Sequence, residues 1–179
     1  MNEYEHKEIT DEKLIEEAEN LVVEAHWRDW SEKLTKQSLE NWNKRGLKEI
    51  VASGGKVFAT FDKKGKIVAC SYIIPLRKFG RAFLIPNDMK QKLELQEKPI
   101  ANMGGMAVSE GHLRKGLSQV HEQMRLNWAR EQGFKTALTN TSLDSKRYPG
   151  LIKTGWKVLH ENKGYWKDGA TRVVMYKKL

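Results

Sequence analysis

The sequence predicts an α/β fold, and three stretches carry that prediction. Lys56–Phe61 and Ile67–Ile74 are β-rich runs joined by Asp62-Lys63-Lys64-Gly65-Lys66, a glycine-containing hairpin turn. Ile100–Val108 is a short, mostly apolar run of the length of a buried strand. After Gly116 the period changes: Leu117, Val120, Met124 and Trp128 recur at three- and four-residue spacing, one face of a helix, and Gly133 stands where a C-terminal cap would. Between strand and helix lies a loop with Gly111, Gly116, Arg114 and Lys115. Strand, Gly/basic loop, helix turns backbone N–H groups and a helix N-terminus toward an anion. A glycine beside a lysine also closes an ordinary turn in solvent, so a phosphate site and a plain turn both remain open on the pattern alone.

The other elements follow in chain order. Leu14, Ile15, Ala18, Leu21, Val22 and Ala25 form one apolar stripe, which predicts a helix from Asp11 to Ala25 with Thr10 as its N-cap. A break is expected near His26-Trp27-Arg28-Asp29-Trp30, then a second helix over Glu32–Lys44 capped by Ser31. Leu47, Ile50 and Val51 suggest a short helical piece ended by Ser53-Gly54-Gly55. Cys70 falls mid-strand, the place of a small core residue, not of a nucleophile. Pro75–Pro99 fits either a lid over a pocket or a short extra helix with solvent-facing charges. Phe134–Asn140 alternates like a strand, and Trp156–His160 with Thr171–Lys177 reads as a terminal pair.

Composition narrows the class. At 179 residues the chain is long enough for one domain that buries roughly two-thirds of its unfolded surface. Apolar residues at 39% and charged residues at 31% suit a globular protein, and no run approaches the ~20 apolar residues of a membrane helix. The polar start, MNEYEHKEITDEK, does not read as a signal peptide, and a lone cysteine excludes an internal disulfide, so a cytoplasmic protein is expected. Zinc-type Cys/His spacing is absent, and no metal is expected. A net charge of +9, from 32 Lys+Arg against 23 Asp+Glu, favours anionic partners: a cofactor phosphate, an acidic carrier protein or nucleic acid.

The stretch from Met106 to Ser118 resembles the coenzyme A-binding motif of the GNAT N-acyltransferase superfamily. Met106-Ala107-Val108 matches the family's strand end, and Ser109 to His112 its connector. Leu113-Arg114-Lys115-Gly116-Leu117-Ser118 aligns without a gap to the Arg/Gln-x-x-Gly-x-Gly/Ala loop. Leu113 departs from the family's Arg or Gln, and Ser118 from its second small residue. A second segment, Leu151-Ile152-Lys153-Thr154-Gly155-Trp156, is similar to the family's Leu-Tyr-Glu-Lys-x-Gly-Phe, with Leu151 in place of the tyrosine. The resemblance spans about 57–179, with a helical N-terminal part at about 11–53. It implies a single GNAT-like domain: a mixed, mostly antiparallel central sheet flanked by helices, its central strands splayed. It also implies transfer of an acyl group, acetyl by default, from acyl-coenzyme A to an amine.

By resemblance, Met106 and Val108 offer backbone groups to the pantetheine arm, and Leu113, Arg114, Lys115, Gly116, Leu117 and Ser118 hold the pyrophosphate, with Asn140 on the following strand. Trp27, Trp30 and Tyr165-Trp166 fall in segments that border the acceptor pocket in relatives. For proton transfers, Tyr148, about one helical turn before Leu151, is the candidate acid. Glu97 and Glu110, on either side of the central strand, are the candidate bases, a role that needs desolvation. The five histidines, at 6, 26, 112, 121 and 160, show no spacing that marks catalysis. Expected partners are a small-molecule or peptide amine, an acidic carrier protein in an acyl-amino acid or acyl-lactone synthase, nucleic acid, and a second copy in a homodimer; no membrane is expected. A catalytically silent acyl-coenzyme A binder is the other alternative.

Overall fold

The computed structural model describes residues 3–30, 46–76, 99–164 and 169–179, the side chains of Asp29 and Trp30 aside. The expected helix Glu32–Lys44, Glu97, almost all of Pro75–Pro99, and Tyr165-Trp166 lie outside the described residues.

Strands β1 (Glu5–Ile9), β2 (Lys56–Phe61), β3 (Ile67–Pro75), β4 (Ile100–Val108), β5 (Thr136–Ser142), β6 (Lys157–Asn162) and β7 (Arg172–Lys178) form one sheet. Their order is β1-β2-β3-β4-β5-β7-β6. The pairs β1–β2, β2–β3, β5–β7 and β6–β7 run antiparallel and β4–β5 parallel, a mixed, mostly antiparallel sheet. Helices α1 (Glu12–Trp30), α2 (Leu47–Ala52), α3 (Leu117–Glu131) and α4 (Arg147–Lys153) complete the described elements. None of the described helices is long and apolar enough to cross a membrane.

The chain divides into two compact units. One comprises Met1–Ile74 with Gly104–Asn127, the other Pro75–Met103 with Trp128–Leu179. In the first, the β2–β3 hairpin is fixed by its turn chemistry. The Asp62 carboxylate accepts the backbone N–H of Lys64 and Lys66, both at 2.9 Å, and Gly65 takes φ 75°. Those bonds, led by Lys66, hold its carboxyl below the usual range.

Helix α1 buries Ile15, Ala18, Leu21, Val22 and Ala25, the stripe read from the sequence. Two details differ. Its cap is Asp11, whose Oδ1 accepts from Lys13 N–H at 3.0 Å and Leu14 N–H at 3.1 Å, so Thr10 is not the cap. And no break occurs at His26–Trp30: the helix runs straight through, because nothing in that segment removes a backbone donor.

Strand β1 has no counterpart in the sequence reading. It pairs with β2 from Glu5↔Phe61 to Ile9↔Val57, yet only Ile9 is buried. An edge strand made of charges carries no apolar alternation, which is also what keeps such an edge from aggregating.

In the second unit, Ile100 and Leu138 pack with Leu76, Leu159 and Tyr176. The parallel ladder of β4 and β5 covers Ile100↔Thr136 to Asn102↔Leu138, after which Thr139 Oγ1 donates to the Met103 carbonyl at 3.1 Å. Trp156 and Leu151 are buried in this unit. Trp128 is half-buried and lies 5.6 Å from the Phe134 ring between centroids, so it covers the core edge instead of filling the core.

Candidate functional site

The first unit gathers most of the residues singled out above. β4 ends at Val108, whose carbonyl accepts Arg28 Nη1 from α1 at 3.2 Å. Ser109 N–H then donates to the Val68 carbonyl at 2.8 Å, anchoring the strand end to β3. Val108 and Leu117 pack with Val68 and Ala69, and Tyr4 and Met106 lie against that cluster. A single 3-10 turn, Glu110–His112, follows the strand, and there Glu110 is exposed. Leu113, 42% exposed, presents an apolar side chain to solvent.

The backbone then takes an unusual path. Arg114 sits at φ 62°, a left-handed conformation uncommon for a residue with a side chain, and Gly116 at φ 76°. Alternation of this kind makes consecutive N–H groups converge. The N–H groups of Arg114, Lys115, Gly116, Leu117 and Ser118 meet no acceptor among the described residues. The helix takes over only afterwards, with Gln119 and Val120 donating to the Gly116 carbonyl at 3.0 and 3.2 Å. These five groups sit at the positive end of a fifteen-residue helix. The Ser109 hydroxyl oxygen, just upstream, is buried and has no partner among the described residues. A Cβ on Gly116 would meet, among the described residues, only Gln119 Oε1, at 3.7 Å. Such a cradle is suited to an anion, with Arg114, Lys115 and Ser118 exposed around it.

The loop's cations are not equivalent. Lys115 Nζ is 2.9 Å from Glu3 Oε1 and 5.9 Å from the Tyr4 ring centroid, and Tyr4 in turn shares a 2.8 Å hydrogen bond with His112 Nδ1. The Glu3 carboxylate, then Tyr4, raise the Lys115 ammonium above its usual range, and Lys115 lowers the Glu3 carboxyl.

Beneath the loop, α3 carries a feature the sequence reading missed. Of the expected apolar stripe only Leu117 is fully buried, while Val120, Met124 and Trp128 are half-buried; the buried face instead includes His121, fully buried, and Arg125, 1% exposed. His121 Nε2 bonds Thr60 Oγ1 at 2.8 Å and Nδ1 bonds Ser71 Oγ at 2.7 Å, while Thr60 also bonds His6 Nδ1 at 2.7 Å. Burial first, then the charges of Arg125 and His6, push the His121 imidazole down to about 3, so it is neutral. Arg125 donates through Nε to the His121 carbonyl at 3.0 Å and through Nη1 to the Gly104 carbonyl at 3.3 Å. The spacing Leu117, His121, Arg125 at i, i+4, i+8 was the available signal. Cys70 is buried, its Sγ donates to the Ala18 carbonyl at 3.4 Å, and burial pushes its thiol up to about 12, as befits a core residue.

Asn140 and Tyr148 belong to the second unit. Asn140 is half-buried on β5, opposite Val174. Tyr148 is half-buried in the first turn of α4, and its N–H donates to the Ser145 carbonyl at 3.0 Å. Leu151 is 3% exposed. Among the described residues no group of three or more His, Cys, Asp or Glu is placed to hold a metal ion.

No protein-family model matches the chain, and no curated protein matches it. Solved structures do. A ribosomal-protein-alanine N-acetyltransferase from Brucella melitensis is 15% identical with a TM-score of 0.69, covering 98% of this chain and 99% of its own. An N-acyl amino acid synthase from uncultured soil microbes is 13% identical with a TM-score of 0.68, covering 98% and 90%. The NatC complex bound to Gag peptide and coenzyme A aligns at 11% identity with a TM-score of 0.67, covering 99% of both chains. At these identities the likeness is one of fold: the chain has the fold of the GNAT acetyltransferases.

Proposed function

We propose that this protein transfers an acyl group, acetyl by default, from acyl-coenzyme A to an amine by direct attack in a ternary complex. The observation that carries the reading is the run of five N–H groups, Arg114 to Ser118, that meet no acceptor among the described residues where β4 turns into α3. Unpaired donors at a helix N-terminus want an anion, and a pyrophosphate supplies several acceptor oxygens at once. Arg114 and Lys115 add charge, and Met106 and Val108 line the strand that leads away from the loop.

In the proposed reaction the amine nitrogen attacks the thioester carbonyl carbon, forming a C–N bond and placing charge on the oxygen. A backbone N–H near Val108 is suited to stabilise that oxyanion. Collapse breaks the C–S bond and releases the coenzyme A thiolate. The nitrogen's proton passes to a base, Glu97 or Glu110, the latter exposed in the free protein and so dependent on bound substrate for its desolvation, and the thiolate takes a proton from Tyr148 or from water. Positioning supplies the largest share of the rate, since no covalent intermediate is needed. An amine on a small molecule, on an amino acid or on a peptide fits this scheme, as does an acyl group delivered by an acidic carrier protein.

The buried Leu151 favours one second reading, an acyl-coenzyme A binder without turnover. A thiol-release screen with acetyl-coenzyme A against amines, amino acids and peptides separates the two. Acceptor-dependent release of one thiol per amide formed supports the transferase. Binding of acetyl-coenzyme A with no release for any acceptor class contradicts it in favour of the silent binder.

A further inference from the structure

Two adjacent glycines inside a strand are unfavourable, because each loses more backbone entropy than other residues and packs nothing. Gly104–Gly105, in the middle of β4, have a steric reason for being there. A Cβ on Gly104 would collide with the Tyr72 hydroxyl oxygen and stand 2.5 Å from its Cζ. A Cβ on Gly105 would stand 2.6 Å from Tyr72 Cδ1 and 2.8 Å from Cε1. The phenol therefore lies along the backbone of both residues. Gly105 also takes φ 59°, so the strand bends under the ring.

The bend is held by buried Arg125, which donates to the Gly104 carbonyl. Ser71 reaches His121 on α3, whereas Cys70 reaches Ala18 on α1. Strand alternation puts Tyr72 on the Cys70 face, so the ring covers the bend from the side of α1. Tyr72 is only half-buried there.

The following step rests on the donor reading above. We infer that a coenzyme A thioester held by its phosphates at Arg114–Ser118 runs back along β4, past Val108 and Met106, and brings its acyl end to the Gly104–Gly105 bend, where Tyr72 sets the size of the acyl group: its ring fills the space beyond the acyl carbonyl and restricts the donor to short chains, of acetyl size. A side chain at either glycine would displace the ring, which is why both positions are glycine.

Calorimetric titration with acetyl-, butyryl- and hexanoyl-coenzyme A tests this without knowledge of the acceptor. Wild type and Tyr72→Phe, which keeps the ring, are expected to bind the hexanoyl donor at least tenfold more weakly than the acetyl donor. Tyr72→Ala opens the space, and each methylene it lets in is worth roughly fourfold in affinity. The hexanoyl donor should then bind Tyr72→Ala at least as tightly as the acetyl donor. Tyr72→Leu, a milder truncation, should shift the ratio the same way if the alanine variant does not fold. An acetyl-to-hexanoyl ratio unchanged in folded variants, or a wild type that already prefers hexanoyl, overturns the assignment and leaves the donor reading standing. A wild type that binds none of the three thioesters overturns the donor reading, and this inference with it.

Discussion

Two polar regions of the first unit differ in one respect. In the chain His6–Thr60–His121–Ser71, each side chain meets the next at 2.7–2.8 Å. In the loop Arg114–Ser118, five backbone donors meet no acceptor among the described residues. Buried polar groups are normally paired, and the network's are, as suits a scaffold; the loop's donors belong to residues that are exposed apart from Leu117, and at a helix N-terminus they are open to an anion. The network holds α3 against β2 and β3, and the loop opens α3. The first gives the second a rigid base.

The largest expected effect breaks the receptor while sparing the scaffold. Gly116→Asp brings a carboxylate beside the proposed pyrophosphate, a like-charge contact of about 4 kcal/mol at close range. Asp tolerates a positive φ better than most residues, so calorimetry should show at least about a hundredfold weaker coenzyme A binding in a protein that still unfolds cooperatively.

Acid is the next probe, aimed at the network. His121 is held near 3 in the folded state against an ordinary 6.5. Between those values the unfolded chain binds a proton that the folded chain refuses, so stability is fully present above about 6.5 and falls as pH drops toward 3. The slope is about 1.4 kcal/mol per pH unit, or about 2 kcal/mol between pH 6.5 and 5. Urea unfolding across that range should show the loss in wild type and a flatter profile in His121→Gln.

A smaller effect comes from Thr60→Val, which leaves His121 Nε2 buried and unpaired. It should lower stability by about 1–3 kcal/mol in urea titrations while leaving coenzyme A affinity within twofold. A large loss of affinity there would blur the distinction between scaffold and receptor. Smallest is Glu3→Gln, which frees Lys115 from its carboxylate. Coenzyme A binding should tighten by up to about fivefold at low salt, and the gain should vanish at high salt.

The sequence showed these regions unequally. Strand–loop–helix was legible because its parts are apolar runs with a change of period, and the hairpin because Asp62 and Gly65 are local turn chemistry. The loop was legible as spacing, but Arg114 at φ 62° was not, since nothing marks a residue that is held in a strained conformation by its surroundings. Strand β1 escaped because EHKEI has no apolar period. The His6–Thr60–His121–Ser71 network escaped because hydrogen bonds between residues 50 to 61 positions apart leave no local trace. Tyr72 and its two glycines were all visible letters, but only the register of β3 beside β4 brings them together.

The account turns on what the loop binds. Titrating coenzyme A into the wild-type protein and into Gly116→Asp, at matched ionic strength, tests that most directly. The account predicts saturable one-to-one binding to wild type and its loss in the folded variant. Equal affinity for the two proteins would contradict it and return the loop to an ordinary solvent turn.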